Sequence, residues 1–193
     1  HLREYHPDDL AEVVQLFCQT VRQVNCRDYT SEQIAAWVPD PPDLDAWAQR
    51  LAQPLVLICE NEGKIVGFLR ADRQREDAAA KAGLIDLLYV HPQHQRQGVA
   101  TLLMTDALRR LAQQGIFRVW AHVSITAEPF FERQGFEPFS DKQWHDGREP
   151  RKLPDVAIRN SRRLACVAPA AAKTLAELPR QMMHPGRRNV QQH

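Results

Sequence analysis

With 193 residues, 44% of them apolar, the chain has material for a core of its own, since about 150 residues already bury about 70% of their unfolded surface. Basic and acidic side chains number 25 and 24, a formal net charge of +1, which excludes global steering toward nucleic acid or acidic membranes. No apolar run approaches the ~18 residues of a membrane span, and the opening HLREYHPDD lacks the basic start and apolar stretch of a secretory signal, so the expected location is the cytoplasm.

Residues 1–5 read as a short first strand. Pro7 then opens a helix whose apolar face is marked by Leu10, Val13, Val14, Phe17, Val21 and Val24. Asn25 to Tyr29 breaks it. Thr30-Ser31-Glu32-Gln33 has the form of a capping box and starts a short helix carrying Ile34, Ala35 and Trp37, which the prolines around 39–42 stop. Asp43 caps a third, with Leu44, Trp47 and Leu51 on its inner face. Leu55–Cys59 and Lys64–Leu69 then form a hairpin around a glycine-containing turn. Arg73 to Ala82 is polar and reads as a loop.

Leu84–Val90 is an apolar strand that feeds, through the turn HPQHQ, a helix opening on Gly98. Val99, Leu102, Leu103, Ala107, Leu108 and Leu111 recur at helical spacing along it, and Gly115 stops it. A helix N-terminus reached through a glycine loop leaves several N–H groups unpaired, with the positive end of the helix dipole behind them; it is an anion site. Neither a Gly-x-x-x-x-Gly-Lys-Ser/Thr nor a Gly-x-Gly-x-x-Gly run is present, which excludes the commonest nucleotide loops. Residues 117–123 form the next strand, 126–134 a short helix closed by Gly135, and 136–139 begin another strand. A last strand begins at 156–160 and runs on toward Cys166. Hairpins combined with one strand–helix–strand unit give an α+β mixed sheet.

Gln95-Arg96-Gln97-Gly98-Val99-Ala100 resembles the Gln/Arg-x-x-Gly-x-Gly/Ala signature of the GNAT superfamily of acyl-CoA-dependent N-acetyltransferases. Ser124 to Phe136 is similar to that superfamily's second motif, with Ala127, Phe130, Glu132, Gly135 and Phe136 matching. Two motifs in the right order are far more specific than either alone. The resemblance implies a mostly antiparallel, splayed GNAT-type sheet flanked by helices, formed by residues 1–166, with 167–193 as a peripheral tail. It also implies that acetyl-CoA lies between the strands 84–90 and 117–123 where they separate. Its pantetheine arm would pair with the backbone of Leu88, Tyr89 and Val90. Its diphosphate would sit on Gln95, Arg96, Gln97, Gly98, Val99, Ala100 and Thr101, with Ser124 and Phe131 against the arm.

Phe131 stands where many members of that family have a Tyr thought to protonate the leaving thiolate, and phenylalanine has no proton to give. Tyr89, His122 and Tyr29 are the alternative donors. Asp86, a carboxylate in an otherwise apolar strand, reads as a general base or as the structural partner of an arginine; by two-residue alternation it shares a face with Leu84, Leu88 and Val90. His122, at the end of its strand, reads as a base near neutral pH or as a hydrogen-bonded strand-end histidine. The acceptor, a small-molecule or peptide amine, would meet Asn25, Tyr29, Trp37 and Trp120.

Residues 140–155, with Trp144 and His145, are polar and are a candidate lid. The cysteines form no Cys-x-x-Cys pair and the histidines no His-x-x-x-His pair on a helix, so no metal is expected. The basic runs 159–163 and 187–188 are short and lack interleaved aromatics, so no nucleic acid is expected either. The superfamily also allows a homodimer. The other functional class compatible with Phe131 is a catalytically weak acyl-CoA sensor on the same fold.

Overall fold

The structure, a computed structural model, describes residues 1–52, 55–73, 82–138 and 162–167. The loop at 74–81, the candidate lid, the 156–160 start of the last strand and the tail beyond 167 lie outside those residues.

Local rules account for most elements. A turn of 3-10 helix at Pro7–Asp9 leads into α1 (Leu10–Gln23). Thr30 and Gln33 close a reciprocal capping box at the start of α2 (Ser31–Trp37), and the Asp43 carboxylate accepts from Ala46 N at 2.9 Å ahead of α3 (Leu44–Leu51). Strands β1 (Leu2–Glu4), β2 (Leu55–Asn61), β3 (Lys64–Arg73) and β4 (Ala82–Val90) pair antiparallel in sequence order. The β2–β3 turn holds Glu62 at φ 52° and Gly63 at φ 74°, the two left-handed residues that match the twist of a tight hairpin. Helix α4 (Val99–Gln113) crosses over to β5 (Arg118–Val123), which lies parallel to β4. After α5 (Glu128–Arg133), β6 (Glu137–Pro138) and β7 (Arg162–Val167) complete a seven-stranded sheet of order β1-β2-β3-β4-β5-β7-β6. The fold is α+β, with β4–β5 the one parallel pair among the described residues.

The sheet separates two cores. On one side α4 and the segment around α5 bury Leu103, Met104, Leu108, Leu111, Phe131 and Phe136; on the other, α1 to α3 bury Val13, Phe17, Val21 and Leu51 against Ile58 and Phe68. Leu102, expected on the inner face of α4, is 42% exposed, and Met104 is buried instead. The helix is rotated so that its start rests on bare β3 backbone. A Cβ added to Gly67 would lie 2.7 Å from Val99 Cγ1 and 3.2 Å from both Leu103 Cδ1 and the Tyr89 carbonyl oxygen. Gly67→Val is therefore expected to cost about 1–3 kcal/mol through overpacking. Urea unfolding measures it, and an unchanged midpoint would mean that α4 does not sit this close.

Arg3 ties β1 to the start of α1 and to β2, donating to Asp9 at 2.6 and 2.8 Å and to Glu60 at 2.5 and 2.8 Å. The guanidinium holds the Asp9 carboxyl below its usual range. A folded-state pKa lowered in this way stabilises the protein above the unfolded value of ~3.9, and that contribution disappears as pH falls through the lower folded value. Asp9→Asn is expected to flatten the acid side of the stability-against-pH curve. A variant curve with the wild-type slope would refute it.

Candidate active site

The β4–β5 ladder covers only Ala82–Ile85 against Arg118–Ala121, so from Asp86 onward β4 has no ladder partner in β5. Across β4, on its other edge, the pairing changes at the same place. Arg70 of β3 pairs with Leu87 and Ala71 with Ile85, which leaves Asp86 as the extra residue of a β-bulge. The bulge also breaks the two-residue alternation assumed above. Ile85 and Leu88 pack on the α4 side, whereas Leu87 and Tyr89 pack on the α1 side. Asp86 does not share a face with Leu88 as expected, because one inserted residue reverses the phase of those that follow.

Beyond the bulge, His91 N–H donates to Val66 O at 2.9 Å, so the alternation of backbone groups turns the N–H groups of Leu88 and Val90 toward the gap. The Val90 carbonyl, on that same edge, accepts from Thr20 Oγ1 and from Gln95 Nε2, both at 3.3 Å. A ligand arm in the gap is thus offered both amides but shares the Val90 oxygen with two side chains.

At the mouth of the gap, Arg96 (φ 61°) and Gly98 (φ 85°) are left-handed, and α4 begins with no side-chain cap. The first intrahelical bond is Leu102 N to Gly98 O at 2.9 Å, so the N–H groups of Val99, Ala100 and Thr101 have no partner within the helix. A Cβ on Gly98 would meet nothing within 4 Å. The helix end and the parted strands line one cleft of about 530 Å³. Every residue predicted to hold the cofactor lines it except Gln97, whose side-chain amide donates to Gln93 O at 3.0 Å.

Of the predicted catalytic residues, Asp86, Tyr89 and His122 all reach the cleft. The Asp86 side chain, 7% exposed, accepts from Arg50 Nε and Nη2, both at 2.9 Å, and from Arg70 Nη1 at 2.6 Å. Tyr89 packs edge-on against Phe17 and stacks on Phe68. Its burial pushes the phenol well above its ordinary pKa, with the Arg50 charge opposing the shift, so it stays protonated at any working pH. His122 meets Trp120 edge-on, with ring centroids 5.0 Å apart. Phe131, 4% exposed, packs against Phe130 and Phe136.

The predicted acceptor residues divide. Asn25 and Trp37 line the cleft, whereas Tyr29 and the 2% exposed Trp120 do not. Asn25 and Tyr29 are bonded across the molecule. The Tyr29 hydroxyl accepts from Ile125 N at 3.0 Å, and Asn25 Nδ2 donates to Thr126 Oγ1 at 3.3 Å, while Thr126 Oγ1 donates to Asp28 at 2.7 Å. Residues 25–29 are thereby clasped to the loop after β5. Sequence reasoning missed Arg50, Arg70 and Thr20. A visible signal existed for Arg70, the lone charge inside Ile65–Ala71, the counterpart of Asp86 in the neighbouring strand.

A parallel strand pair that opens beside an uncapped helix N-terminus offers a long cleft with an anion seat at its mouth. The chain belongs to the acetyltransferase (GNAT) domain family, whose sequence profile matches residues 25–149. It is 29% identical over 136 residues to the uncharacterized N-acetyltransferase YafP of Escherichia coli K12, spanning 70% of this chain and 80% of YafP. Among solved structures it is similar to a GCN5-related N-acetyltransferase from Rhodopseudomonas palustris, with a TM-score of 0.68 and 27% identity over 86% of this chain and 94% of that one. A GNAT family acetyltransferase from Brucella melitensis, solved in complex with acetyl-CoA, shares the fold with a TM-score of 0.54 and 22% identity, over 71% and 82% of the two chains. The protein is thus an acyl-CoA-dependent N-acetyltransferase by family. No described helix is long and apolar enough to cross a membrane.

Proposed function

We propose that the protein moves an acetyl group from acetyl-CoA to an amine by direct attack while both are bound. The observation that carries this reading is the parting of β4 from β5 at Asp86 beside the bare start of α4. The diphosphate sits on the N–H groups of Val99 to Thr101, and the pantetheine arm pairs with the gap-facing amides of β4. The acetyl-CoA complex of the Brucella relative supports the same cofactor here.

In the reaction the amine lone pair adds to the thioester carbonyl, and the oxyanion that forms is met by the Leu88 N–H, the deeper of the two gap-facing amides, while the Val90 N–H holds the arm. Collapse breaks the C–S bond, the nitrogen gives up a proton and the thiolate gains one. His122 takes the amine proton, directly or through water, because three of the roughly four acceptor positions of Asp86 are already filled by guanidinium donors. Tyr89 supplies the thiolate from its phenol and regains a proton from solvent. The acceptor enters on the side of Asn25 and Trp37.

Titrating the full chain with acetyl-CoA by calorimetry, then screening amine pools for thiol release, tests both halves. Binding with turnover of at least one amine supports the proposal. Binding with no turnover across the panel favours an acyl-CoA sensor, and absence of binding rejects both.

A further inference from the structure

The bulge where the strands part is anchored from its own side of the sheet. Asp86 is simultaneously the inserted residue of β4 and the first residue beyond the β4–β5 ladder. Its carboxylate is held by a guanidinium from α3 (Arg50) and one from β3 (Arg70). Arg70, whose side chain is 9% exposed, also donates from Nε to the Arg50 carbonyl at 2.7 Å and from Nη2 to Asp72 at 3.2 Å. Three elements therefore meet on one buried carboxylate at the residue where the chain must leave its neighbour.

A bulge is a register choice. Without an anchor the extra residue can shift along β4, and a shift past Leu88 and Val90 turns them over. We infer that Arg50 and Arg70 are positioning residues that act through Asp86: together they fix the bulge at this residue, and so fix the place where the cofactor gap opens and the direction of the Leu88 and Val90 amides. Asp86 is then a structural anion, and its carboxylate takes no proton from the acceptor. This inference rests on the acetyl-transfer reading for its kinetic consequence, though its structural consequence stands without any cofactor.

The test uses the full chain with Arg70→Met, Arg70→Lys and Asp86→Asn, each compared below its own unfolding midpoint. In the absence of ligand, Arg70→Met is expected to speed amide hydrogen exchange at Leu87 and Tyr89, whose N–H groups face β3, relative to β2, and unchanged exchange there overturns the inference. Misplacing reacting groups by about 1 Å costs up to about 10²-fold, so with acetyl-CoA and any amine the wild type acetylates, Arg70→Met is expected to lose about ten- to a hundredfold in kcat and to raise KM for acetyl-CoA. Arg70→Lys recovers part of both, because its ammonium still reaches the carboxylate.

Asp86→Asn should resemble Arg70→Met while keeping the acid limb of the kcat/KM profile at its wild-type pH. Normal acetyl-CoA affinity with loss of that limb would make Asp86 the base and overturn the inference. If Arg70→Met does not fold, the more exposed Arg50→Met, losing two of the three bonds, carries the same comparisons. A wild-type chain that binds no acetyl-CoA refutes the proposed function instead, and leaves the exchange result to decide this one.

Discussion

Gly98→Glu is expected to abolish acetyl-CoA binding, seen as the disappearance of heat in a calorimetric titration into the high micromolar range. Two effects combine. Gly98 sits at φ 85°, where a side chain costs roughly 1–2 kcal/mol of backbone strain. The larger effect is direct: the new side chain would enter the opening beside the unpaired amides of α4 and set a carboxylate where the diphosphate is proposed to lie. Gly63→Glu is the matched control. It imposes similar strain at φ 74° in the β2–β3 turn, where a Cβ also meets nothing within 4 Å, and should leave binding intact. Equal loss in both variants would assign the effect to folding and remove the argument for a phosphate seat.

Tyr89→Phe is expected to lower kcat by about 10²–10⁴-fold, the range for removing a positioned acid, with little change in KM for acetyl-CoA. Tyr89 lines the cleft, and its ring is wedged between Phe17 and Phe68 and held neutral by burial. Phenylalanine fills the same space, so packing is kept and only the proton is removed. Single-turnover thiol release is the measurement, since it isolates the chemical step from product departure. A kcat within about threefold of wild type would send the search for the donor to His122 or to solvent.

The helix caps, the hairpin and the glycine-opened α4 were legible because their causes are local: a Thr-x-x-Gln box, an Asp before an apolar turn, a Glu-Gly pair at a strand end. The residues that the two motifs single out lie around one cleft, Gln97 excepted, and were legible for the same reason, the motifs being short and contiguous. What could not be read was long-range. A period-two pattern carries no mark of an inserted residue, so the phase of β4 beyond Asp86 was misjudged. Asn25 and Tyr29 were read as acceptor wall from their polarity, yet their hydrogen bonds run about 100 positions along the chain, to Thr126 and Ile125. Spacing alone cannot anticipate such partners.

The clasp between residues 25–29 and the loop after β5 has a geometric consequence. Thr20 joins α1 to the end of β4, the clasp joins the turn after α1 to the end of β5, and the ladder joins the two strands at Ile85 and Ala121. What would otherwise be a fork open at its tip becomes an eyelet. On the proposed cofactor placement a ligand arm is threaded through it lengthwise, and the girth of the acyl end, more than its length, is then expected to set which thioesters pass.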